Sequence, residues 1–559
     1  MFVDARLLPV DQVIETEVCI VGAGPAGITL AREFIGQKTK VCVVESGGEE
    51  VDPQTQALSE GLTVGDPFLT VADTRCRRFG GNSNIWAVKI GNGQIGVRYA
   101  PLDEIDFEHR DWIPHSGWPF GRSHLDPFYE RAQSVCQAGP FAYEADTWEE
   151  EQIQRLPLNE EQVVTKMFQF GARDVFSHKY REELRAADNI SVYLNANVIN
   201  IESNDSVNRV TRLQVATLRD NKFYVAAKVF ILATGGLENA RILLMSNTQQ
   251  TAGLGNGHDV VGRYFIDHPI ADGGVFVPSD RQLFNTTALY DLRLVRNTNI
   301  LGHLVPSKAV MEREQLANIC AVFFPRPSRR QWKAVESFKA IAESIASKKF
   351  PENFWPGLLN TISGIDYVTL ATYLAITKRQ SLLHAFGRGG WSDIPNNDRR
   401  FQSYQIVHLL EQLPQPANRV VLSKERDALG CQKLELQWRW DPENGRSIGR
   451  AQEVFARELA RAGLGEFQLD RKDGLPRLSI PSGAAHHMGT TRIHVDPKQG
   501  VVDENCRVHG VSNLFIAGSS VFPTGGYANP TLTIVALSLR LAEQIKKELA
   551  TQNYLAPAL

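Results

Sequence analysis

The stretch Glu17-Val18-Cys19-Ile20-Val21-Gly22-Ala23-Gly24-Pro25-Ala26-Gly27 decides the fold. Its first half is an apolar run that reads as a buried strand, and its second half is a glycine-rich turn. A helical stretch, Ile28 to Gln37, follows, and a second strand, Lys40 to Val44, ends at Glu45. Each part has a physical task. Gly22 permits the tight turn, Gly24 lets a pyrophosphate approach the backbone, and Gly27 lets the helix pack on the sheet. The helix start, at Pro25 and Ala26, offers free N–H groups and a positive dipole end to phosphates. Glu45, with Ser46 beside it, lies 18 residues past Gly27, where a carboxylate accepts ribose hydroxyls. A bare glycine pattern is weak evidence. Strand, glycines, helix, strand and acid in that order predict a dinucleotide site.

Two remote segments favour FAD over NAD. Lys228-Val229-Phe230-Ile231-Leu232-Ala233-Thr234-Gly235-Gly236 reads as a strand with a small-residue exit. Val511-Ser512-Asn513-Leu514-Phe515-Ile516-Ala517-Gly518-Ser519 repeats that form near the other end of the chain. A plain NAD dehydrogenase has no need of a sheet assembled from such distant pieces.

Composition sets outer bounds. A chain of 559 residues is long for one core and favours two large structural regions. Its 60 basic and 63 acidic residues leave a net charge of −3, which points to no nucleic-acid partner. Seven scattered cysteines without a CxxC argue against a disulfide framework or a zinc site, and no metal is expected. The start lacks a basic stretch followed by an apolar run of about 7–15 residues, so a cytoplasmic location is expected. Only 358–376, LLNTISGIDYVTLATYLAI, resembles a membrane segment. It contains Asp366 and several hydroxyls, so it reads as a buried or docking helix and no membrane span is expected.

The chemistry-bearing residues lie near the C-terminus. His486-His487-Met488-Gly489-Thr490 is followed 43 residues after His486 by Asn529-Pro530-Thr531. A neutral histidine, with an ordinary pKa near ~6.5, suits removal of an alcohol proton. Asn529 and Pro530 also make a good helix start, with asparagine as N-cap and proline at the first helical position. Leu532, Val535, Ala536, Leu539, Ala542 and Ile545 then form a helical apolar stripe.

Taken together, the chain resembles the glucose–methanol–choline (GMC) family of FAD-dependent oxidoreductases. The matching blocks are the N-terminal fingerprint, Arg78-Phe79-Gly80-Gly81-Asn82-Ser83-Asn84-Ile85-Trp86, Ser116-Gly117-Trp118-Pro119 and Val261-Gly262-Arg263-Tyr264-Phe265-Ile266-Asp267-His268-Pro269. Asn418-Arg419-Val420-Val421-Leu422-Ser423 and the block from His486 to Ile545 complete them. Asn529-Pro530-Thr531-Leu532-Thr533 is closest to the pyranose-oxidase-like branch of sugar and glycoside oxidases and dehydrogenases.

The resemblance implies an FAD-dependent alcohol oxidoreductase with His486 as proton acceptor and Asn529 binding the same substrate oxygen, while hydride passes to flavin N5. The implied cofactor contacts include the fingerprint residues, Glu45, Ser46 and the loop residues Arg78, Gly80, Gly81, Asn82, Asn84, Ile85, Trp86 and Ala87. Val198, Ala233, Thr234 and Gly235 follow, then Gly518, Ser519, Asn529, Pro530 and Thr531. The branch carries a flavin-linking histidine where this chain has Ile85, so FAD is expected to be non-covalent. It also has a threonine where this chain has Ala87. The implied substrate is a secondary hydroxyl of a sugar or glycoside. A non-sugar alcohol is the alternative, as is a dehydrogenase subunit passing electrons to a redox partner. The acceptor is oxygen, a quinone or a redox protein, and an oligomer stays open.

The expected fold is α/β with an α+β second region: a Rossmann-like FAD-binding domain from 1–110, 175–270 and 480–559, and a substrate domain from 111–174 and 271–479. In the latter, Gly274 to Pro278, Leu301 to Pro306 and Gln405 to Leu410 read as strands of an antiparallel sheet. Read at period two, His408 and Gln412 share one face and Gln405 and Glu411 the other, so either face offers Gln405 or His408 and Gln412 to the substrate, and His487 is a further candidate contact. His268, in the Asp267-His268-Pro269 turn, reads as structural. Residues 326–392 read as a helical insertion serving as lid, oligomer contact or docking site, with a hinge at Gly387-Arg388-Gly389-Gly390.

Overall fold

A computed structural model describes the chain except for residues 91–93, 352, 378–388, 470, 473–474, 477, 484 and 556–559. The fingerprint strand, Val13–Val21, is buried over Val18–Val21 and sits in the middle of an eight-stranded sheet. On one side it pairs in parallel with Val41–Val44, then Ile190–Leu194, then Phe2–Asp4. On the other it pairs in parallel with Lys222–Leu232, which also carries Leu514–Ile516 in parallel at its far end. Val210–Ala216 and Asn197–Ser203 extend the sheet by antiparallel pairing. Parallel strands buried on both faces read as continuous apolar runs, which is why Val18–Val21 and Phe230–Leu232 were visible in sequence.

Two helices pack against each other beside the fingerprint turn. Pro25–Arg32 begins with Gly24 as cap and Pro25 in its first turn, and it ends five residues short of the expected Gln37. Thr531–Leu555 packs against it, with Leu532, Val535, Ala536, Leu539, Ala542 and Ile545 all buried. That stripe follows the helical period read from sequence.

The second large sheet is antiparallel throughout its main path. Its strands run in the order Gly465–Leu469, Pro269–Pro278, Ser403–Leu410, Ile319–Arg326, Thr298–Pro306, Val163–Ala172, Ile95–Tyr99 and Val88–Lys89. The three runs expected as strands lie inside longer ones of this sheet. Ile95–Tyr99 was expected with the cofactor-binding part but pairs here with Val163–Ala172, because its hydrogen-bond partner, invisible to local pattern, lies some seventy residues on.

The stretch 358–376 is broken. Phe354–Ser363 and Ile365–Thr377 are two helices divided at Gly364, where an added Cβ would come within 2.6 Å of the Ala334 side chain. Both pack on Arg329–Ala346. Among the described residues, no helix is long and apolar enough to cross a membrane. The three helices leave the sheet after Arg326 and return to it at Ser403, whereas Ile270 and Leu409 line the cavity described below. Six residues of strand separate Ser403 from Leu409, about 20 Å at ~3.3 Å per residue. The helices therefore spring from the end of the sheet remote from the cavity, which speaks against the lid. Of the expected hinge, Gly387 and Arg388 lie outside the described residues.

Candidate active site

The first sheet, the two helices beside the fingerprint turn and one end of the second sheet enclose a cavity of about 520 Å³. Its fingerprint wall is formed by Gly22, Gly24, Pro25, Ala26, Glu45 and Ser46, and its far wall by Val198, Ala233, Thr234 and Gly235. Gly518, Ser519, Asn529, Pro530 and Thr531 close one side, and Gly81, Asn82, Ile85, Trp86 and Ala87 another.

The glycines test whether these residues fit a dinucleotide. A Cβ added to Gly24, Gly235 or Gly518 would meet no atom within 4 Å, and Gly235 and Gly518 hold φ of +89° and +106°. Bare backbone thus faces open space at three points, as a diphosphate held by main-chain N–H groups requires. The residues fit. Gly27 does another job: a Cβ there would overlap the Gly22 carbonyl oxygen, so it lets helix and turn touch and does not line the cavity. Arg78, Gly80 and Asn84 also stand off the cavity wall. Asn84 ties its own loop by donating to the carbonyls of Phe79 and Gly81, both at 2.9 Å. Glu45 is buried, which raises its pKa, and its carboxylate accepts from the N–H groups of Ala23 at 2.7 Å and Gly47 at 2.9 Å. It holds the fingerprint turn in shape and keeps lone pairs for ribose hydroxyls.

His486 and Asn529 both line this cavity. The segment carrying His486 pairs with the expected Asp-His-Pro turn: Ile266 and Met488 exchange backbone hydrogen bonds of 3.1 and 3.0 Å. Asp267 Oδ1 then accepts from the backbone N–H groups of His268 at 2.7 Å and His486 at 2.8 Å. This brings the two imidazoles together, with His268 Nδ1 2.9 Å from His486 Nδ1. Burial, helped by His268 and Arg98, holds the His486 pKa well below the ordinary histidine value. Asn529 Oδ1 accepts from Arg98 Nε at 3.1 Å and Nη2 at 2.6 Å. That bond departs from the expected N-cap. The helix begins one residue later than expected, at Thr531, and its first main-chain bond runs from Ile534 N–H to the Pro530 carbonyl at 2.8 Å.

The expected substrate contacts fare differently. Gln405, His408 and Gln412 are absent from the cavity wall. Gln405 Oε1 accepts from Arg326 at 3.0 and 2.6 Å, and His408 is fully buried and stacked on Phe455. Gln412 lies past the strand end, accepting from the Asp267 N–H at 3.1 Å. The period-two reading fails because both faces of Ser403–Leu410 are covered by packed side chains. His487 lines the cavity beside Phe265, and burial draws its pKa down to about 3.

Sequence reading passed over Arg98, which lines the wall. Arg98 sits in Ile95–Tyr99, buried, with its pKa lowered to about 10 by desolvation. Arg75 and Arg77 converge on the buried Glu238 at 2.8 and 2.9 Å, and Arg241 joins it at 2.7 Å. The three arginines hold the Glu238 carboxyl well below the usual range. From sequence, Arg75, Arg77 and Arg78 before the double glycine read either as pyrophosphate contacts or as a solvated basic loop.

The family model for GMC oxidoreductases matches residues 414–538, a span that contains both His486 and Asn529. Over that span the chain is similar to the GMC oxidoreductases. The chain is 24% identical over 350 residues to the fructose dehydrogenase large subunit of Gluconobacter japonicus, covering 62% of this chain and 52% of that one. It is 34% identical over 128 residues to the C-glycoside 3-oxidase of Arthrobacter globiformis, covering 22% of this chain and 23% of that one. The matched chain thus spans about half the length of the first relative and about a quarter of the second. The fold is that of a solved fungal aryl-alcohol oxidase, with a TM-score of 0.52 and 14% identity over 97% of this chain and 100% of the other.

Proposed function

We propose that this protein is a GMC oxidoreductase that holds FAD non-covalently and oxidises a secondary hydroxyl of a sugar or glycoside to a ketone. One observation carries the reading. His486 and Asn529, 43 residues apart in sequence, line the same cavity as the fingerprint glycines. FAD, when bound, supplies the two-electron acceptor. The protein supplies the proton acceptor and the fixed geometry: His486 takes the hydroxyl proton, and Asn529 donates to the same oxygen. General-base catalysis of this kind is worth ~10²–10⁴-fold, and positioning adds to it. The pyrophosphate would lie against Gly24, Gly235 and Gly518, which offer bare backbone. Sugar or glycoside substrates are favoured by the relatives, whose names include a fructose dehydrogenase and a C-glycoside oxidase.

Non-covalent binding is supported by Ile85, which lines the cavity and has no atom able to bond to the flavin ring. Acid precipitation of the holoenzyme is expected to leave a colourless pellet under a yellow supernatant; a yellow pellet overturns this. The relatives include a dehydrogenase and an oxidase, so the acceptor is oxygen, a quinone or a redox protein. Anaerobic mixing with a panel of sugars, glycosides and simple alcohols checks the substrate class by flavin bleaching. Bleaching by non-sugar alcohols alone would overturn the sugar assignment. Reoxidation by air, against reoxidation only by a quinone or dye, separates an oxidase from a dehydrogenase.

A further inference from the structure

Each member of the pair is held by one dedicated neighbour, and the hydrogen bonds leave a single arrangement of protons. The Gly525 carbonyl oxygen can only accept, and it lies 3.1 Å from His268 Nε2, so that nitrogen carries a proton. His268 is buried, which draws its pKa down to about 4, so the ring is neutral and Nδ1 is its lone pair. The 2.9 Å contact between the two Nδ1 atoms therefore needs its proton on His486. A neutral His486 with Nδ1–H has its lone pair on Nε2, and that nitrogen has no hydrogen-bond partner among the described residues. Across the cavity, a guanidinium has no acceptor, so its contacts of 3.1 and 2.6 Å identify the Asn529 atom they reach as the oxygen. The Nδ2 amide hydrogens have no partner among the described residues and are left for a ligand.

We propose that His268 and Arg98 are positioning residues: they turn a lone pair on His486 Nε2 and a donor on Asn529 Nδ2 toward one ligand oxygen. Only a hydroxyl satisfies both, because it donates and accepts, whereas a carbonyl or ether oxygen only accepts. In the proton step the O–H bond breaks and an N–H bond forms at His486 Nε2. The resulting imidazolium keeps its Nδ1–H on the lone pair of His268. His268, which reads from sequence as a structural turn residue, thereby sets the tautomer of the base. This inference rests on the alcohol-oxidising reading.

Holoenzyme labelled with ¹⁵N-histidine tests it without substrate, the His486 ring signals being those lost in His486→Ala. The expected spectrum has Nδ1 protonated and Nε2 bare; a protonated Nε2 overturns the proposal. His268→Gln keeps a donor for Gly525 and an acceptor for His486, so it should reduce flavin within about fivefold of wild type, while His268→Leu should be slower by about 10²-fold or more with flavin still bound. Equal rates in the two variants also overturn it. Arg98→Met and Asn529→Ala together should be no slower than Asn529→Ala alone; additive losses remove Arg98 from the role. If no alcohol bleaches the flavin, the functional reading fails while the ring signals still decide the tautomer.

Discussion

At the scale of single residues, His486 carries the sharpest expectation. His486→Ala should keep its flavin and yet lose about 10²–10⁴-fold in the rate of alcohol-driven flavin reduction. Stopped-flow reduction without oxygen reads this directly, and a near-normal rate would exclude His486 as the base. The pH dependence has a definite sign. Burial and neighbouring groups lower the His486 pKa, so the neutral, proton-accepting form persists as pH falls through the ordinary histidine value. The reduction rate should therefore stay level from pH ~8 to below ~6.5, with any loss due to His486 protonation confined to more acidic solution. A decline centred near ~6.5 would show a base exposed to water. His486 and Asn529 were legible in sequence as a pair of residue types. Their neighbours His268 and Arg98 were not, since a buried histidine in a turn and an arginine in a strand carry no local mark of what they touch.

At the scale of elements, the fingerprint turn separates two kinds of glycine that look alike in sequence. Gly24 faces open space and Gly27 faces the carbonyl of Gly22. Gly24→Ala should fold normally but bind FAD at least about tenfold more weakly, because the new methyl occupies the room of the phosphate. Gly27→Ala should instead lower the melting temperature even of the apoprotein, because its methyl has nowhere to go. Flavin titration and thermal melts of both variants check the pair; a Gly24→Ala protein with normal affinity would place the diphosphate elsewhere. The long C-terminal helix was legible from its period alone. Its start shifted by one residue because the Asn529 oxygen bonds a guanidinium brought from another sheet.

Across the whole molecule, the second sheet is fastened to the loop before it by a buried ion pair. Arg110 donates to both oxygens of Glu411 at 2.8 and 2.6 Å, and the two side chains are 1% and 0% exposed. Glu411 also accepts from the Asn318 N–H at 2.9 Å. Arg110→Met would strand a carboxylate in the interior and should cost about 3–5 kcal/mol in urea unfolding. Neither residue lines the cavity, so flavin spectra of the folded variant should be unchanged. Loss of less than about 1 kcal/mol would mean that the Glu411 carboxylate reaches water or another partner.

The sequence alone determined what depends on neighbours along the chain: the strand, turn and helix of the fingerprint, the apolar stripe of the last helix, and the residue types of the His486 and Asn529 pair. Backbone sterics and helical period act over a few residues, so local pattern records them. The tertiary structure decided what depends on contact across hundreds of residues. It placed Ile95–Tyr99 in the second sheet, buried His408 behind that sheet, and set the helical insertion away from the cavity. It also brought His268 to His486, 218 residues away, and Arg98 to Asn529, 431 residues away. A hydrogen bond reads only distance and direction in space, and no period in the chain encodes such a partner.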